Sequence, residues 1–145
     1  MKAGVAASCD VPGDGAAGGL GFALRTLLGA KMTSGADWVM EAAGLDDALE
    51  GADFLITGEG RTDDQTLSGK LCFKAALRAA RRGVPTIVVS GAVAGDPEKL
   101  REHFFALFSI APGPGALEDA LRDTARNLRR VATDVGRLLS ERERR

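Results

Sequence analysis

A chain of 145 residues with 45% hydrophobic and 27% charged residues has the length and composition of one globular domain. Its net charge of −1 excludes a strongly basic nucleic-acid-binding or membrane-surface protein, and its 5% of aromatic residues is too few for base-stacking platforms. No apolar run approaches the ~20 residues that a membrane-spanning helix needs. Cys9 and Cys72 lack the spacing of a zinc site, so both are predicted to be reduced thiols of a cytoplasmic protein.

Glycines and short helices dominate the first third of the chain. The segment "PGDGAAGGLG" contains the pattern GxGxxG as Gly13, Gly15 and Gly18, and it leads into a predicted helix over residues 16–28. A dinucleotide site is not favoured, because no good strand precedes these glycines and no buried strand follows at the required distance. The glycines are predicted to form a helix entrance that binds an anion or packs closely. Two further helices are predicted over residues 37–43 and 45–50.

Three short apolar runs are predicted to be strands, at residues 53–57, 86–90 and 105–110. None of them alternates strictly between apolar and polar residues, which is typical of parallel strands covered on both faces. Strands separated by helical patterns predict an α/β fold with a parallel sheet flanked by helices. Three strands make a narrow sheet whose edges need cover, so exposed apolar surface and self-association are expected.

The helices between and after these strands carry clear end signals. One over residues 70–82 is predicted to end at Gly83, and another is predicted to begin with Asp96 as N-cap and Pro97 in its first turn. The last helix is predicted to run from residue 117 to about 139. Its apolar stripe, expected to face the core, consists of Leu117, Leu121, Leu128, Val131, Val135 and Leu138.

The segment "ITGEGRTDDQTLSGK" follows the first predicted strand and carries the densest polar chemistry in the chain. In a parallel sheet, ligands bind at the carboxyl ends of the strands, where this segment begins. Glu59, Asp63 and Asp64 can hold Mg²⁺, or either Asp can take a proton from a substrate hydroxyl, while Lys70 can place a charge on a phosphate. The segment is not a P-loop, because Leu71 stands where that motif requires Ser or Thr.

Four stretches in order resemble the bacterial glycerate kinase family, whose members phosphorylate D-glycerate with ATP. They are "PGDGAAGGLGFAL", "ADFLITGEGRTDDQTLSGK", "GVPTIVVSG" and "FSIAPGPGALEDAL", and the likeness covers about residues 11–139. The resemblance implies a flavodoxin-like sheet, present here only in part. Residues 11–43 would return from an inserted second domain, and residues 44–140 would form the C-terminal part of the flavodoxin-like domain.

The resemblance also implies roles for individual residues. Arg61, Asp63 and Lys70 would be catalytic, with Arg61 and Lys70 offsetting phosphate charge, and Glu59 and Asp63 would hold the Mg²⁺ of the bound ATP. Asp63 matches the acid that recurs in the family motif, whereas Asp64 falls at a variable position and is expected to point to solvent. The residues expected to bind nucleotide or substrate are Gly13, Gly15, Gly18, Gly58, Glu59, Gly60, Gln65, Thr66 and Gly69.

Two departures from the family pattern qualify this interpretation. Asp14 stands where family members usually carry a small residue, so the local charge differs. Members are also more than twice this length, so the chain is expected to be a C-terminal fragment with little activity by itself. The expected activity is phosphorylation of D-glycerate, to 2-phosphoglycerate in preference to 3-phosphoglycerate. The alternative is a truncated, non-catalytic module that binds an anion or a nucleotide.

Overall fold

The computed structural model describes residues 11–143. The chain divides into two compact units at the boundary between Trp38 and Val39, which falls within the second helix. Twelve helical or strand elements are described, and three of them are strands. None of the helices within residues 11–143 has both the length and the apolar character of a membrane span.

The first unit is built on the glycine-rich segment. A 3₁₀ turn, Ala16–Gly19, precedes helix α1, Leu20–Leu28. The predicted continuous helix over residues 16–28 is therefore wrong in its first turn, because Ala17, Gly18 and Gly19 all have positive φ angles that an α-helix excludes. Helix α2, Gly35–Ala42, follows and crosses into the second unit.

The second unit contains a parallel sheet in the order β1, β2, β3. The strands are β1, Leu55–Thr62, β2, Thr86–Val93, and β3, Ala106–Ser109. This sheet and its flanking helices confirm the predicted α/β fold. The helices of this unit are α3, Leu45–Ala48, α4, Leu71–Ala80, α5, Pro97–Arg101, α6, Leu117–Arg122, and α7, Thr124–Glu143. A second 3₁₀ turn, Thr66–Ser68, lies between β1 and α4.

Strand β1 continues well past the apolar run that predicted it. Glu59 lies opposite Ser90 and Thr62 lies opposite Val93, so the ladder includes residues that the sequence placed in a loop. The prediction that the strand ends at Thr57 is wrong, because pairing with β2 satisfies the backbone groups whatever the polarity of the side chains. Strand β2 also runs three residues beyond its predicted end, whereas β3 is shorter than the predicted 105–110.

Both faces of the central strand β2 are covered. Val88 packs with Ala76 of α4 and Leu100 of α5, whereas its neighbour Ile87 packs on the opposite face with Val131 of α7. This confirms the interpretation of the apolar run at residues 86–90 as a buried parallel strand. The start of α5 is also confirmed, since the Asp96 side chain accepts a hydrogen bond from the N–H of Glu98 at 2.9 Å.

The predicted last helix is two helices. The helix is interrupted at Asp123, between α6 and α7, where the backbone leaves helical geometry. Val131 and Val135 are buried as predicted, but Leu117 is 69% exposed and Leu138 is 64% exposed. The prediction of a single apolar stripe is therefore wrong, because the packing on the sheet comes from Val131, Val135 and Leu139 of α7 and the break at Asp123 interrupts the helical period.

Replacement of Gly58 by Ala is expected to destabilise the fold by about 1–3 kcal/mol. A Cβ at Gly58 would lie 2.5 Å from the carbonyl oxygen of Val89, a backbone atom of the paired strand that cannot rotate away. The measurement is the free energy of unfolding in urea. Gly60 is the matched control, because a Cβ there would meet no atom within 4 Å. Gly60→Ala should stay within about 0.5 kcal/mol of the parent chain, and equal effects of the two substitutions would contradict the close β1–β2 approach.

Candidate functional site

The polar segment forms one structural unit at the carboxyl end of β1. The strand carries Glu59 and Arg61, a turn follows, and the 3₁₀ turn Thr66–Ser68 ends at Gly69, which has a φ of 101°. Lys70 is then the N-cap residue of α4. The residues from Gly58 to Lys70 that the sequence predicted to form a site therefore lie together, and those up to Thr62 are held on a strand.

Glu59 is held through one of its two carboxylate oxygens. Its Oε1 accepts hydrogen bonds from Thr66 Oγ1 at 2.6 Å and from Thr62 Oγ1 at 3.0 Å. Thr62 Oγ1 in turn lies 2.5 Å from Ser90 Oγ, and Thr62, Thr66 and Ser90 are all buried. Within residues 11–143, Oε2 of Glu59 has no hydrogen-bond partner. Glu59 therefore presents one open oxygen from a fixed position.

Asp63 is surrounded by positive charge. Its Oδ2 accepts a hydrogen bond from Arg61 Nε at 3.0 Å, and its Oδ1 accepts one from the N–H of Gln65 at 3.0 Å and lies 3.7 Å from Lys70 Nζ. Partial burial alone would raise the pKa of Asp63, but the hydrogen bond from Arg61, the charge of Lys70 and the N–H of Gln65 hold the pKa below its usual value. Asp63 is therefore ionised at neutral pH and is a weak proton acceptor.

Asp64 is exposed to solvent as expected, and it also makes a contact that the sequence did not predict. Its Oδ1 accepts a hydrogen bond from the backbone N–H of Asp96 at 3.1 Å. Asp96 is itself the N-cap of α5, so Asp64 links the segment after β1 to the loop after β2. Its position beside Asp63 in the sequence gave no signal of this contact, because Asp96 is 32 residues away.

The three glycines of the first segment lie in the first unit and have different surroundings. Gly13 has a φ of 96° and lies against the Met32 side chain, Gly15 precedes the 3₁₀ turn, and a Cβ at Gly18 would meet no atom within 4 Å. The arrangement of these glycines is compatible with close packing at Gly13 and with an open backbone at Gly18. Their predicted nucleotide-binding role stays a prediction.

The negative charge of Asp14, which family members usually lack at this position, is compensated by Arg25 of the same unit. Arg25 donates to both carboxylate oxygens, with Nε 2.8 Å from Oδ1 and Nη2 2.5 Å from Oδ2, and the Asp14 side chain is buried. The hydrogen bond from Arg25 holds the pKa of Asp14 below its ordinary value. The Arg25 side chain also lies over the Phe22 ring, 5.7 Å from its centroid. The departure at Asp14 therefore adds an ion pair rather than an uncompensated negative charge.

The fit of the segment to Mg²⁺ depends mainly on Glu59. No three His, Cys, Asp or Glu side chains within residues 11–143 form a group that could hold a metal ion. Mg²⁺ in phosphoryl-transfer sites commonly takes one or two carboxylates together with water and phosphate oxygens. Glu59 has an open oxygen for such a cation, whereas Arg61 and Lys70 already offset the charge of Asp63. The residues present therefore fit a phosphate-assisted metal site with Glu59 as the better ligand.

Sequence reasoning missed Thr62 and Ser90. Both are polar and buried at the carboxyl ends of paired strands, and both belong to the hydrogen-bonded group around Glu59. Ser90 carried a usable signal, because it is the last residue of the predicted strand 86–90. Thr62 carried none, since the sequence placed it in a loop.

Comparison with known proteins identifies the family. A sequence model described as the glycerate kinase family matches residues 2–140. The chain belongs to the glycerate kinase family. Among curated relatives, a glycerate kinase of Bacillus subtilis is 42% identical over 127 residues, which cover 87% of this chain and 33% of that protein. A glycerate 2-kinase of Escherichia coli K12 is 36% identical over 132 residues, which cover 90% of this chain and 35% of that protein.

The solved structures agree with the sequence relatives. A crystal structure described as glycerate kinase 2 from Salmonella typhimurium LT2 is 36% identical and has a TM-score of 0.71. The match covers 94% of this chain and 35% of that chain. The chain thus spans about a third of the length of the relatives it matches, and what those whole proteins do is carried to it below as a proposal.

The ion pairs of Asp63 should make the fold sensitive to acid. Because the pKa of Asp63 is lowered in the folded state, the unfolded chain binds the proton first as the pH falls. The stability that Asp63 contributes should be present above the unfolded pKa of ~3.9 and should be lost as the pH falls through the folded value. Urea unfolding of the parent and of Asp63→Asn should therefore differ most above about pH 5 and converge in acid. A difference independent of pH would contradict the assignment.

Loss of the Asp64 carboxylate should loosen the loop after β2. In Asp64→Ala the N–H of Asp96 loses its acceptor, and its hydrogen exchange should become faster. The unfolding free energy should fall by about 1 kcal/mol or less, as for an exposed hydrogen bond. Gln65→Ala, at the next exposed position, is the control and should leave exchange at Asp96 unchanged. An unaltered exchange rate in Asp64→Ala would mean that this hydrogen bond does not hold the loop.

Proposed function

We propose that this chain carries the phosphate-transfer end of an ATP-dependent D-glycerate kinase. Family membership supports the reaction class. The observation that carries the site assignment is the grouping, within the 12 residues from Glu59 to Lys70, of an open carboxylate oxygen and two basic side chains that flank Asp63. Phosphoryl transfer requires mainly positioning and charge neutralisation, and this segment supplies groups for both.

The two basic side chains are suited to the transferred phosphoryl group. Lys70 is 41% exposed and Arg61 is 66% exposed, so both can reach a ligand while they remain near Asp63. Lys70 is also the N-cap of α4, where backbone N–H groups and the helix dipole favour an anion. Arg61, with Lys70, would offset the negative charge of the phosphates, and Asp63 would hold the two cations in place.

Glu59 is suited to the attacking hydroxyl or to the metal. In the proposed step, a glycerate hydroxyl oxygen forms a bond to the γ-phosphorus of ATP as the bond to the bridging oxygen breaks. ADP leaves, and the hydroxyl proton passes to a carboxylate or to solvent. We assign the acceptor role to Oε2 of Glu59, because it has no hydrogen-bond partner within residues 11–143, whereas both oxygens of Asp63 already accept hydrogen bonds. Bound Mg²⁺ would neutralise charge on the ATP phosphates, with Glu59 or Asp63 as its protein ligand.

The finer parts of the proposal rest on the family resemblance. The product is proposed to be 2-phosphoglycerate rather than 3-phosphoglycerate, and the protein is proposed to be cytoplasmic. Residues 11–43 are proposed to return from an inserted domain, and residues 44–140 to complete a flavodoxin-like one. Gln65 is exposed beside Asp63 and is proposed to bind substrate. Thr66 is fully buried and donates to Glu59, so its contribution to binding would be made through Glu59.

Replacement of Lys70 by Ala is expected to weaken Mg²⁺·ATP binding about tenfold, which corresponds to about 1.4 kcal/mol. The reason is the loss of a phosphate-neutralising charge at the N-terminus of α4. Isothermal titration of the chain with Mg²⁺·ATP measures the dissociation constant. Arg129→Ala removes an exposed charge in α7 and should leave the constant unchanged.

The same titration separates the kinase from the alternative of an anion-binding module. Saturating D-glycerate should change the Mg²⁺·ATP dissociation constant if the two ligands share a kinase site, because bound substrates contact each other there. A module that binds only anions or nucleotides should be insensitive to D-glycerate. Absence of Mg²⁺·ATP binding, or equal binding by the Lys70 and Arg129 variants, would contradict the proposed function.

A further inference from the structure

Two buried hydroxyl groups donate to one oxygen of Glu59, and a third buried hydroxyl is bonded to one of them. Thr66 and Thr62 each donate to Oε1, at 2.6 and 3.0 Å, and Ser90 Oγ lies 2.5 Å from Thr62 Oγ1. Thr62 and Thr66 are 0% exposed and Ser90 is 1% exposed. Hydroxyls at such depth must find partners within the protein, and here the partner is a carboxylate at the edge of the candidate site.

The direction of these hydrogen bonds follows from the number of available protons. A hydroxyl has one proton to donate, and a carboxylate only accepts. Thr62 uses its proton on Glu59, so the proton between Thr62 and Ser90 must come from Ser90. The chain therefore runs from Ser90 through Thr62 to Glu59. Thr66 uses its proton on Glu59 and accepts from the N–H of Asp63 at 3.2 Å, which connects the second carboxylate residue to the same group.

We propose that Ser90 and Thr62 are positioning residues that orient Glu59 for its ligand. The inference rests on the proposed function, because it assumes that the open Oε2 meets a cation or a substrate hydroxyl. With Oε1 bonded to two hydroxyls, Oε2 is the oxygen that has no hydrogen-bond partner among the described residues. Ser90 lies on β2 opposite Glu59 on β1, so the far end of the hydrogen-bonded chain is held on the paired strand.

Such positioning has a defined energetic value. A long side chain that is ordered before its ligand arrives loses less conformational entropy on binding. Removal of a residue that hydrogen-bonds a metal ligand and orients it typically weakens metal affinity by about 10–100-fold. The competing interpretation is that the three hydroxyls only satisfy one another in a buried place. In that case their loss would lower stability but would leave Glu59 and its ligand affinity unchanged.

The first test is structural and needs no ligand. Val has nearly the shape of Thr without the hydroxyl, so Thr62→Val removes the donor to Glu59 without opening a cavity, while Thr62→Ser keeps it. Crystal structures should show the Glu59 carboxylate displaced or in several conformers in Thr62→Val and unchanged in Thr62→Ser. A Glu59 side chain that keeps its conformation in Thr62→Val would overturn the inference.

The second test measures affinity with Mn²⁺ as a paramagnetic probe. Electron paramagnetic resonance gives the affinity of the chain for Mn²⁺ in the presence of ADP. Thr62→Val should weaken it about tenfold, and Thr62→Ser should restore it to within about threefold of the parent. Glu59→Gln is the reference variant, because it measures how much Mn²⁺ affinity is lost when the carboxylate charge is removed. Thr133→Val removes an exposed hydroxyl of α7 that bonds only the Arg129 carbonyl in the described part of the chain, and it should have no effect.

The two tests separate failure of this inference from failure of the proposed function. If the parent chain does not bind Mn²⁺ with ADP, the proposed cofactor role is contradicted, and the crystal structures still decide whether the hydroxyls orient Glu59. If Thr62→Val lowers only the melting temperature and leaves Mn²⁺ affinity intact, the hydroxyls are structural and the inference is overturned. Should Thr62→Val fail to fold, Ser90→Ala removes the first donor with a smaller change and is read in the same way.

Discussion

Parallel pairing between β1 and β2 continues beyond the apolar part of both strands, and the candidate site depends on that continuation. The ladder reaches Thr62 opposite Val93, so Glu59, Arg61 and Thr62 project from a strand rather than from a loop. A strand fixes the backbone angles of each residue and therefore the direction in which each side chain leaves the sheet. The close approach of the two backbones is possible because Gly58 has no Cβ to meet the Val89 carbonyl.

Two carboxylates on this scaffold have different surroundings and therefore different chemistry. Asp63 is flanked by Arg61 and Lys70, which lower its pKa and make it an anchor for positive charge. Glu59 is held by neutral hydroxyls through one oxygen, and within residues 11–143 its second oxygen has no hydrogen-bond partner. The two carboxylates differ in their environment rather than in their chemical type, and environment is what generally sets the chemistry of neighbouring carboxylates. Glu59 and Asp63 lie four residues apart in the chain.

The fold class and the position of the polar segment after β1 could be predicted from the sequence. The apolar run of β2 is buried on both faces, and Asp96 caps α5 as its sequence signal indicated. These features arise from local pattern: hydrophobic content marks a buried strand, and side-chain chemistry at a helix start acts within a few residues. The position of the polar segment after β1 was also predictable from local pattern, because the residues of the family motif are contiguous in the sequence. The prediction of one helix with a single apolar stripe over residues 117–139 was wrong, because the helix is interrupted at Asp123.

The sequence by itself determined the α/β class, the central strand and the set of charged residues after β1. Only the tertiary structure decided which of those residues share hydrogen bonds. Ser90 reaches Thr62 across 28 positions of sequence, and Asp64 reaches the Asp96 N–H across 32. Contacts of that span are created by strand pairing and by the crossover through α4, neither of which leaves a periodic signal in the residues concerned. The sequence thus identified the carboxylates, while the folded conformation of residues 59–70 decided their hydrogen bonds. In the described part of the chain, Oε2 of Glu59 has no hydrogen-bond partner, whereas both oxygens of Asp63 accept one.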